Sequence, residues 1–374
     1  MSDFFPIMAW NWIPGERAVF DKMRECGLMV AGFVRPEHLD MAHEAGMKAI
    51  VADPRLSNYD WRIADADTVR NNVAEVIGEV GGHPAVFGYY LKDEPHVEEF
   101  AGLELAAAEV RRLAPGKWPY INLLPDYATP TQLGAATFEE YLERFVAACR
   151  PTIVSYDCYA LMEDADVLPR YWSNLETVRA VTKRHGLPFW NIVLTVAHFT
   201  YRELTAADAR FQAYSTLAYG GRGLSYFTYI SPSVGNYRMA PIDQFGNRTP
   251  TWYYLQHVNL QIGRLAPTLL KLTSDDVYHL GEIPSCGHFP TEENLIERID
   301  GMPDALVGEF THEDGSRYVM IVNKSFHESK WCVPIFRRQP EHVWIVSPYT
   351  GELLPYQGEH QVLAPGQGHV LKLG

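Results

Sequence analysis

Short apolar runs and longer amphipathic runs alternate along most of this chain. Strand-like runs fall at residues 4–10, 28–34, 48–52, 86–92, 118–123, 153–159, 189–196 and 223–229. Each is followed by a stretch with helical spacing of apolar positions, at about 16–26, 37–45, 65–80, 97–113, 138–149, 168–185, 205–219 and 251–270. Runs that are apolar throughout, rather than alternating, suit strands covered on both faces, as in a parallel sheet wrapped by helices. Eight such units in about 270 residues match the size of a (β/α)8 TIM barrel. An open doubly wound sheet would alternate in the same way, but no glycine-rich phosphate loop follows any of the strands. The expected fold is α/β, with a closed barrel over residues 1–272.

The pattern changes after Lys271. Runs at 305–310, 318–322, 331–335, 342–346 and 369–373 are short and β-like, and turn residues such as Asp314-Gly315 and Pro365-Gly366 separate them. No helical stretch intervenes, so residues 273–374 are expected to form a small antiparallel β-sandwich packed on the barrel, shielding its last helix.

Composition narrows the partners. The 374 residues are 47% hydrophobic and carry a net charge of −14. That charge disfavours nucleic acid and anionic membrane surfaces as partners. Charged residues or glycine interrupt every apolar run before it could span a bilayer. The start, Met1-Ser2-Asp3-Phe4-Phe5-Pro6, has no basic region ahead of an apolar segment, so a cytoplasmic protein is expected. Five scattered cysteines show no zinc spacing and no disulfide framework, which suits reduced thiols. No HxH, HExxH or calcium-loop spacing occurs, and neither a metal nor a cofactor is expected.

Chemistry in such a barrel gathers at the carboxyl ends of the strands. The residues there are Asn11 and Trp12, Arg35, Asp53 and Arg55, Asp93 and Glu94, Asn122 and Asp126, Asp157 and Tyr159, His198, and Tyr229. Acids, amides and aromatic rings dominate, and basic residues that could clamp a phosphate are few. Paired carboxylates in an aromatic bowl suit cleavage of a glycosidic bond, where one acid protonates the leaving oxygen and a second group deals with the anomeric carbon. A carbohydrate substrate follows from that reading. Among the other ring residues, Asn11, Trp12, Asp53, Asp93, Asn122, Tyr159, His198 and Tyr229 are candidates to bind it, with Tyr59 as a further sugar platform. His96, beside the acid pair, suits a helix start.

Four segments carry a resemblance to a known group. They are Gly88-Tyr89-Tyr90-Leu91-Lys92-Asp93-Glu94-Pro95, residues 218–229 (AYGGRGLSYFTY), residues 242–249 and 258–267 taken together (IDQFGNRT and VNLQIGRLAP), and residues 363–373 (LAPGQGHVLKL). In this order they resemble the clan A glycoside hydrolases, above all the β-galactosidase-like members. The resemblance implies that Glu94, ending the fourth strand before Pro95, is the acid that protonates the leaving group. Two departures stand out. Asp93 occupies the place of the family's Asn. The seventh strand ends Leu194-Thr195-Val196-Ala197-His198-Phe199, without the Glu that serves the family as nucleophile. Asp157, at the end of strand six, is the leading candidate for the second carboxylate; Glu203, a few residues beyond strand seven, is another. The Asp93-Glu94 pair also resembles the Asp-Glu pair of substrate-assisted β-N-acetylhexosaminidases, in which the sugar's acetamido group attacks. A barrel that binds sugar without cleaving it is the remaining alternative.

Overall fold

The computed structural model describes residues 4–164, 167 and 169–374. Eight parallel strands close on themselves in chain order: β1 Ile7–Trp12, β2 Val30–Val34, β3 Lys48–Val51, β4 Val86–Asp93, β5 Trp118–Leu123, β6 Val154–Asp157, β7 Phe189–Leu194 and β8 Gly223–Phe227. Around them lie α1 Arg17–Glu25, α2 Leu39–Glu44, α3 Pro54–Ser57, α4 Ala66–Val80, α5 Phe100–Leu113, α6 Pro130–Leu133, α7 Phe138–Cys149, α8 Arg170–His185, α9 Ala206–Ala218 and α10 Pro250–Leu269. The barrel read from the sequence is therefore present. Leu168, expected to open the helix after strand six, and Met1, Ser2 and Asp3 lie outside the described residues. No helix among the described residues is long and apolar enough to cross a membrane, and all five cysteines are free thiols.

The differences of detail have local causes. The first strand starts later than expected and runs to Trp12, pairing with β2 across a bulge between Ala9 and Trp12. Helices α3 and α6 are single turns that apolar periodicity cannot reveal. Each is started by a capping side chain, Asp53 or Thr129, followed by proline at the first helical position.

The barrel interior is aromatic in layers. Phe87 stacks near Trp190 at 6.2 Å, and Trp118 lies 4.7 Å from Phe87 and 4.9 Å from Trp190, filling the lower part. Above them Phe33 meets Trp10 at 4.9 Å and Tyr90 at 4.3 Å. The barrel is thus a packed core whose upper layer becomes the floor of a bowl.

The carboxyl-terminal part is a six-stranded antiparallel sheet and two short ribbons. The sheet consists of β9 Leu272–Leu280, β11 Ala305–His312, β12 Arg317–Asn323, β15 Val343–Val346, β16 Leu353–Pro355 and β18 Gly368–Leu373; the ribbons pair β10 Ile296–Asp300 with β14 Val333–Phe336, and β13 Lys330–Trp331 with β17 Val362–Leu363. A second core that includes Tyr278, Ile296, Val307, Val319, Phe336, Leu363 and Leu371 lies between sheet and ribbons, so the layered β-domain is present. β9 and β10 were not anticipated because polar residues such as Asp275, Asp276, Glu297 and Arg298 break their alternation.

The other face of the sheet covers chiefly α9, the helix after β7, where the last helix was expected. All but two residues of α9 are buried, because barrel strands lie on one side and β11, β12 and β18 on the other. Gln212 of this helix holds the end of β7 by accepting from Leu194 N (3.0 Å) and donating to Leu194 O (3.0 Å). The sheet approaches so closely that a β-carbon on Gly308 would stand 2.2 Å from the carbonyl oxygen of Ala218. Gly308→Ala is therefore expected to push β11 off α9 and cost about 1–3 kcal/mol, as overpacking does. Differential scanning calorimetry should show a melting temperature lowered by a few degrees; an unchanged value would contradict the close approach.

Candidate active site

The site is assembled by a fault in strand β4. Tyr90 faces Tyr120 of β5, but Lys92 faces the next residue, Ile121, so Leu91 is an extra residue and the strand bulges. Without the bulge, Tyr90 and Lys92 would share the inner face. With it, Tyr90 stays inside against Phe33, Lys92 turns to the helix start and pairs with Glu99 at 3.2 Å, and Asp93 turns inward. Asp93 then lies opposite Asn122.

Glu94 follows with φ of +46°, although it carries a β-carbon and precedes proline. Both facts disfavour that conformation, at a cost of order 1–3 kcal/mol. The surroundings impose it. Glu94 N donates to Asn122 O at 2.9 Å, Tyr141 OH donates to Pro95 O at 2.8 Å, and His96 and Glu99 form a reciprocal cap that starts the next helix. His96 is thus a helix-start residue, as its position suggested.

Asn122, 1% exposed, is the hub. Its side-chain nitrogen donates to Asp93 Oδ1 at 3.0 Å and to Asp157 Oδ1 at 2.8 Å, while its oxygen accepts from Ser155 Oγ at 3.1 Å. Tyr120 OH lies 3.0 Å from the same Ser155 hydroxyl. Both amide hydrogens of Asn122 and its oxygen are engaged, which holds the two carboxyls in place. Asp157, the last residue of β6 and 5% exposed, is in turn hydrogen-bonded to the Glu94 carboxyl. Residues from β4, β5 and β6 therefore form one chain, Glu94–Asp157–Asn122–Asp93.

Three carboxyl groups so close together cannot all ionise near neutral pH. Burial, countered in part by Asn122 and Lys92, raises Asp93 to about 6. Glu94 is exposed to solvent, more so than Asp93 or Asp157. Burial and the Asp93 charge raise it to about 7, against the opposing effect of its bond to Asp157. Asp157 is pushed well above the usual carboxylate range by burial and then by the charges of Glu94 and Asp93. Burial and mutual repulsion thus favour a proton retained on the Glu94–Asp157 pair near neutral pH.

Aromatic side chains wall the bowl. Tyr159 lies 5.4 Å from Phe227 with nearly parallel rings, and the charges of Asp157, Asp93 and Glu94 all bear on its hydroxyl. His198 stacks on Tyr237 at 4.7 Å, directs Nδ1 to Val196 O at 3.1 Å, and is held below the usual imidazole pKa by burial. Tyr127 and Tyr201, close enough to act on each other's hydroxyls, lie on the same side. Trp12, 57% exposed, stands on the opposite rim near Phe33 and Tyr90. Tyr90, Phe227, Tyr127, Tyr201 and Tyr237 escaped the sequence reading. For Tyr90 and Phe227 the inward strand parity was the available signal; the rim tyrosines lie in loops that carry none.

Other candidates stand elsewhere. Asp53 caps α3 through Arg55 N and pairs with the Arg55 guanidinium, which continues to Glu79; that pairing lowers its pKa. Asn11 receives the main-chain nitrogens of Tyr229 (2.6 Å) and Ile230 (2.9 Å), tying β1 to the segment after β8. Tyr229 is fully buried and accepts from Trp252 Nε1 at 3.1 Å. Tyr59 is bonded to Arg55 O and Asn72, and Asp126 to Ser173 and Asn174. Glu203 pairs with Arg238 at 3.0 Å on the surface. Among the described residues, no group of three or more His, Cys, Asp or Glu side chains is arranged to hold a metal ion.

No family model and no curated protein sequence matches the chain. Solved structures do. A glycoside hydrolase family 5 protein from Bacteroides vulgatus is 11% identical with a TM-score of 0.61, covering 99% of this chain and 88% of that one. A structure described as a glycoside hydrolase is 12% identical with a TM-score of 0.60, covering 99% and 92%. A β-galactosidase from the psychrophilic Marinomonas ef1 is 13% identical with a TM-score of 0.53, over 70% of this chain; the chain spans 60% of that longer protein. At these identities the likeness is one of fold: a TIM barrel followed by a β-domain.

Proposed function

We propose that this protein hydrolyses a β-linked sugar or oligosaccharide, with Glu94 as the acid and Asp157 as the second carboxylate. The observation that carries this reading is the clustering of Asp93 and Asp157 on the Asn122 amide, with Glu94 beside them and aromatic side chains around. Carboxyls in such contact are nearer to the roughly 5–5.5 Å of retaining enzymes than to the roughly 6.5–9.5 Å that leaves room for a water. A bound glycoside parts the pair. The retained proton passes to Glu94, aimed at the leaving oxygen, and Asp157 is left ionised to attack the anomeric carbon, its charge held by the Asn122 amide. Water then releases the sugar, with Glu94 acting as base. Asp157 supplies from strand six what the seventh strand lacks, since His198 there is neutral.

Glu94→Gln keeps the shape and removes the proton. Hydrolysis of a natural β-glycoside is expected to fall about 10²–10⁴-fold, while an activated aryl glycoside, which needs little protonation, loses much less. Wild-type turnover of the natural substrate by this variant would remove Glu94 from the chemistry. Asp157→Asn is expected to abolish turnover of both kinds, and NMR of the first product should show a retained anomer. Loss of activity on 2-acetamido sugars alone in Asp93→Asn, with Asp157→Asn still active, would instead support attack by the substrate's own acetamido group.

The pH profile has a definite sign. The acid works only while protonated, so kcat/KM should decline as pH rises through about 7, the value for Glu94. The Asp93 charge helps to hold that value up, so Asp93→Asn should move the alkaline limb to lower pH. A shift to higher pH would contradict the electrostatic arrangement.

A further inference from the structure

Phe199 is the most exposed aromatic group next to the bowl, at 72%, and the backbone that presents it is costly to form. Its φ is +49°, a conformation that bulky side chains rarely adopt. Single exposed apolar residues are ordinary on protein surfaces; a bulky one fixed in a disfavoured backbone is not. The Asn236 side chain holds it from both sides, accepting from Phe199 N at 2.8 Å and donating to Phe199 O at 3.0 Å. The flanking loops pin the same segment. Ala197 pairs with Arg238 in a two-way bridge, and Glu163 N donates to Thr200 O at 3.0 Å. The ring therefore projects from a rigid three-loop rim.

The location gives the ring a use. Phe199 lies 5.0 Å from His198, and His198 lies 6.3 Å from Tyr159, whose hydroxyl feels the charges of Asp157 and Glu94. The ring is thus linked to the carboxyl pair through His198 and Tyr159, on the side of the bowl formed by the loops after β6 and β7. A flat apolar face held rigid there suits the C–H face of a second pyranose, and rigidity spares the ordering cost that a mobile side chain would incur on binding.

We propose that Phe199 is the platform for a sugar unit beyond the one that is cleaved off, which makes neutral β-linked oligosaccharides, rather than single glycosides, the preferred ligands. This rests on the glycosidase reading of the bowl. It can be tested without turnover, by titration calorimetry on the Glu94→Gln variant with β-1,4-linked gluco-, galacto- and manno-oligosaccharides of increasing length beside their methyl monoglycosides. Affinity should rise with length for at least one series. Adding Phe199→Ala should remove roughly tenfold of that gain, about 1.4 kcal/mol, whereas Phe199→Trp should keep it. Asn236→Ala, which frees the segment without touching the ring, should lose part of it. An equal gain with and without the Phe199 ring, or affinity independent of length, would overturn the platform while leaving the acid pair untouched. If none of the sugars binds, the carbohydrate reading of the bowl falls and the platform falls with it.

Discussion

Three carboxyl groups share a pocket of low polarity, and the Coulomb cost of ionising all of them governs how this site can work. Charges a few ångströms apart repel by several kcal/mol at an effective dielectric constant near 20. One buried amide, Asn122, offsets part of that cost by donating to Asp93 and Asp157 together. A proton retained on the Glu94–Asp157 pair would relieve the remainder. All three groups have folded-state pKa values above their unfolded ones. The folded chain thus binds more protons than the unfolded chain between about pH 4 and 7, and the site subtracts stability as pH rises through that window. Such a site is maintained against its own electrostatics, and an acid still protonated near neutral pH is what glycoside cleavage requires.

Several local devices hold the groups in place. The β4 bulge turns Asp93 inward, and the left-handed turn at Glu94 places the second acid above it. Ser155 and Tyr120 fix the orientation of the Asn122 amide, so its nitrogen rather than its oxygen faces the carboxylates. Barrel closure brings residues 93, 122 and 157 onto neighbouring strands. The β-domain supports this from outside: it buries α9, and Gln212 of α9 fixes the end of β7 beside the aromatic wall.

The alternation of apolar runs made the barrel legible because strands covered on both faces have few polar positions. Glu94, Asp93 and Asp157 were legible as a group because closure forces strand ends to converge. What Asn122 does was not, since strand parity places the side chain but says nothing of its partners. Asp53 and Asn11 look like binding residues in a strand-end inventory, and only the hydrogen bonds show that capping and barrel closure engage them. Tyr229 lay two residues beyond the end of β8, where alternation no longer predicts direction. The bulge at Leu91 left no trace in composition either, and it decides which of Lys92 and Asp93 enters the bowl.

The shared proton is the claim to test first. Infrared difference spectroscopy between the wild type and Glu94→Gln at neutral pH reads it directly, because a protonated carboxyl absorbs apart from a carboxylate. A protonated carboxyl band in the wild type that disappears in the variant, and that titrates away as pH is raised past about 7, is the predicted result. A wild type showing only ionised carboxylates at neutral pH would contradict the account.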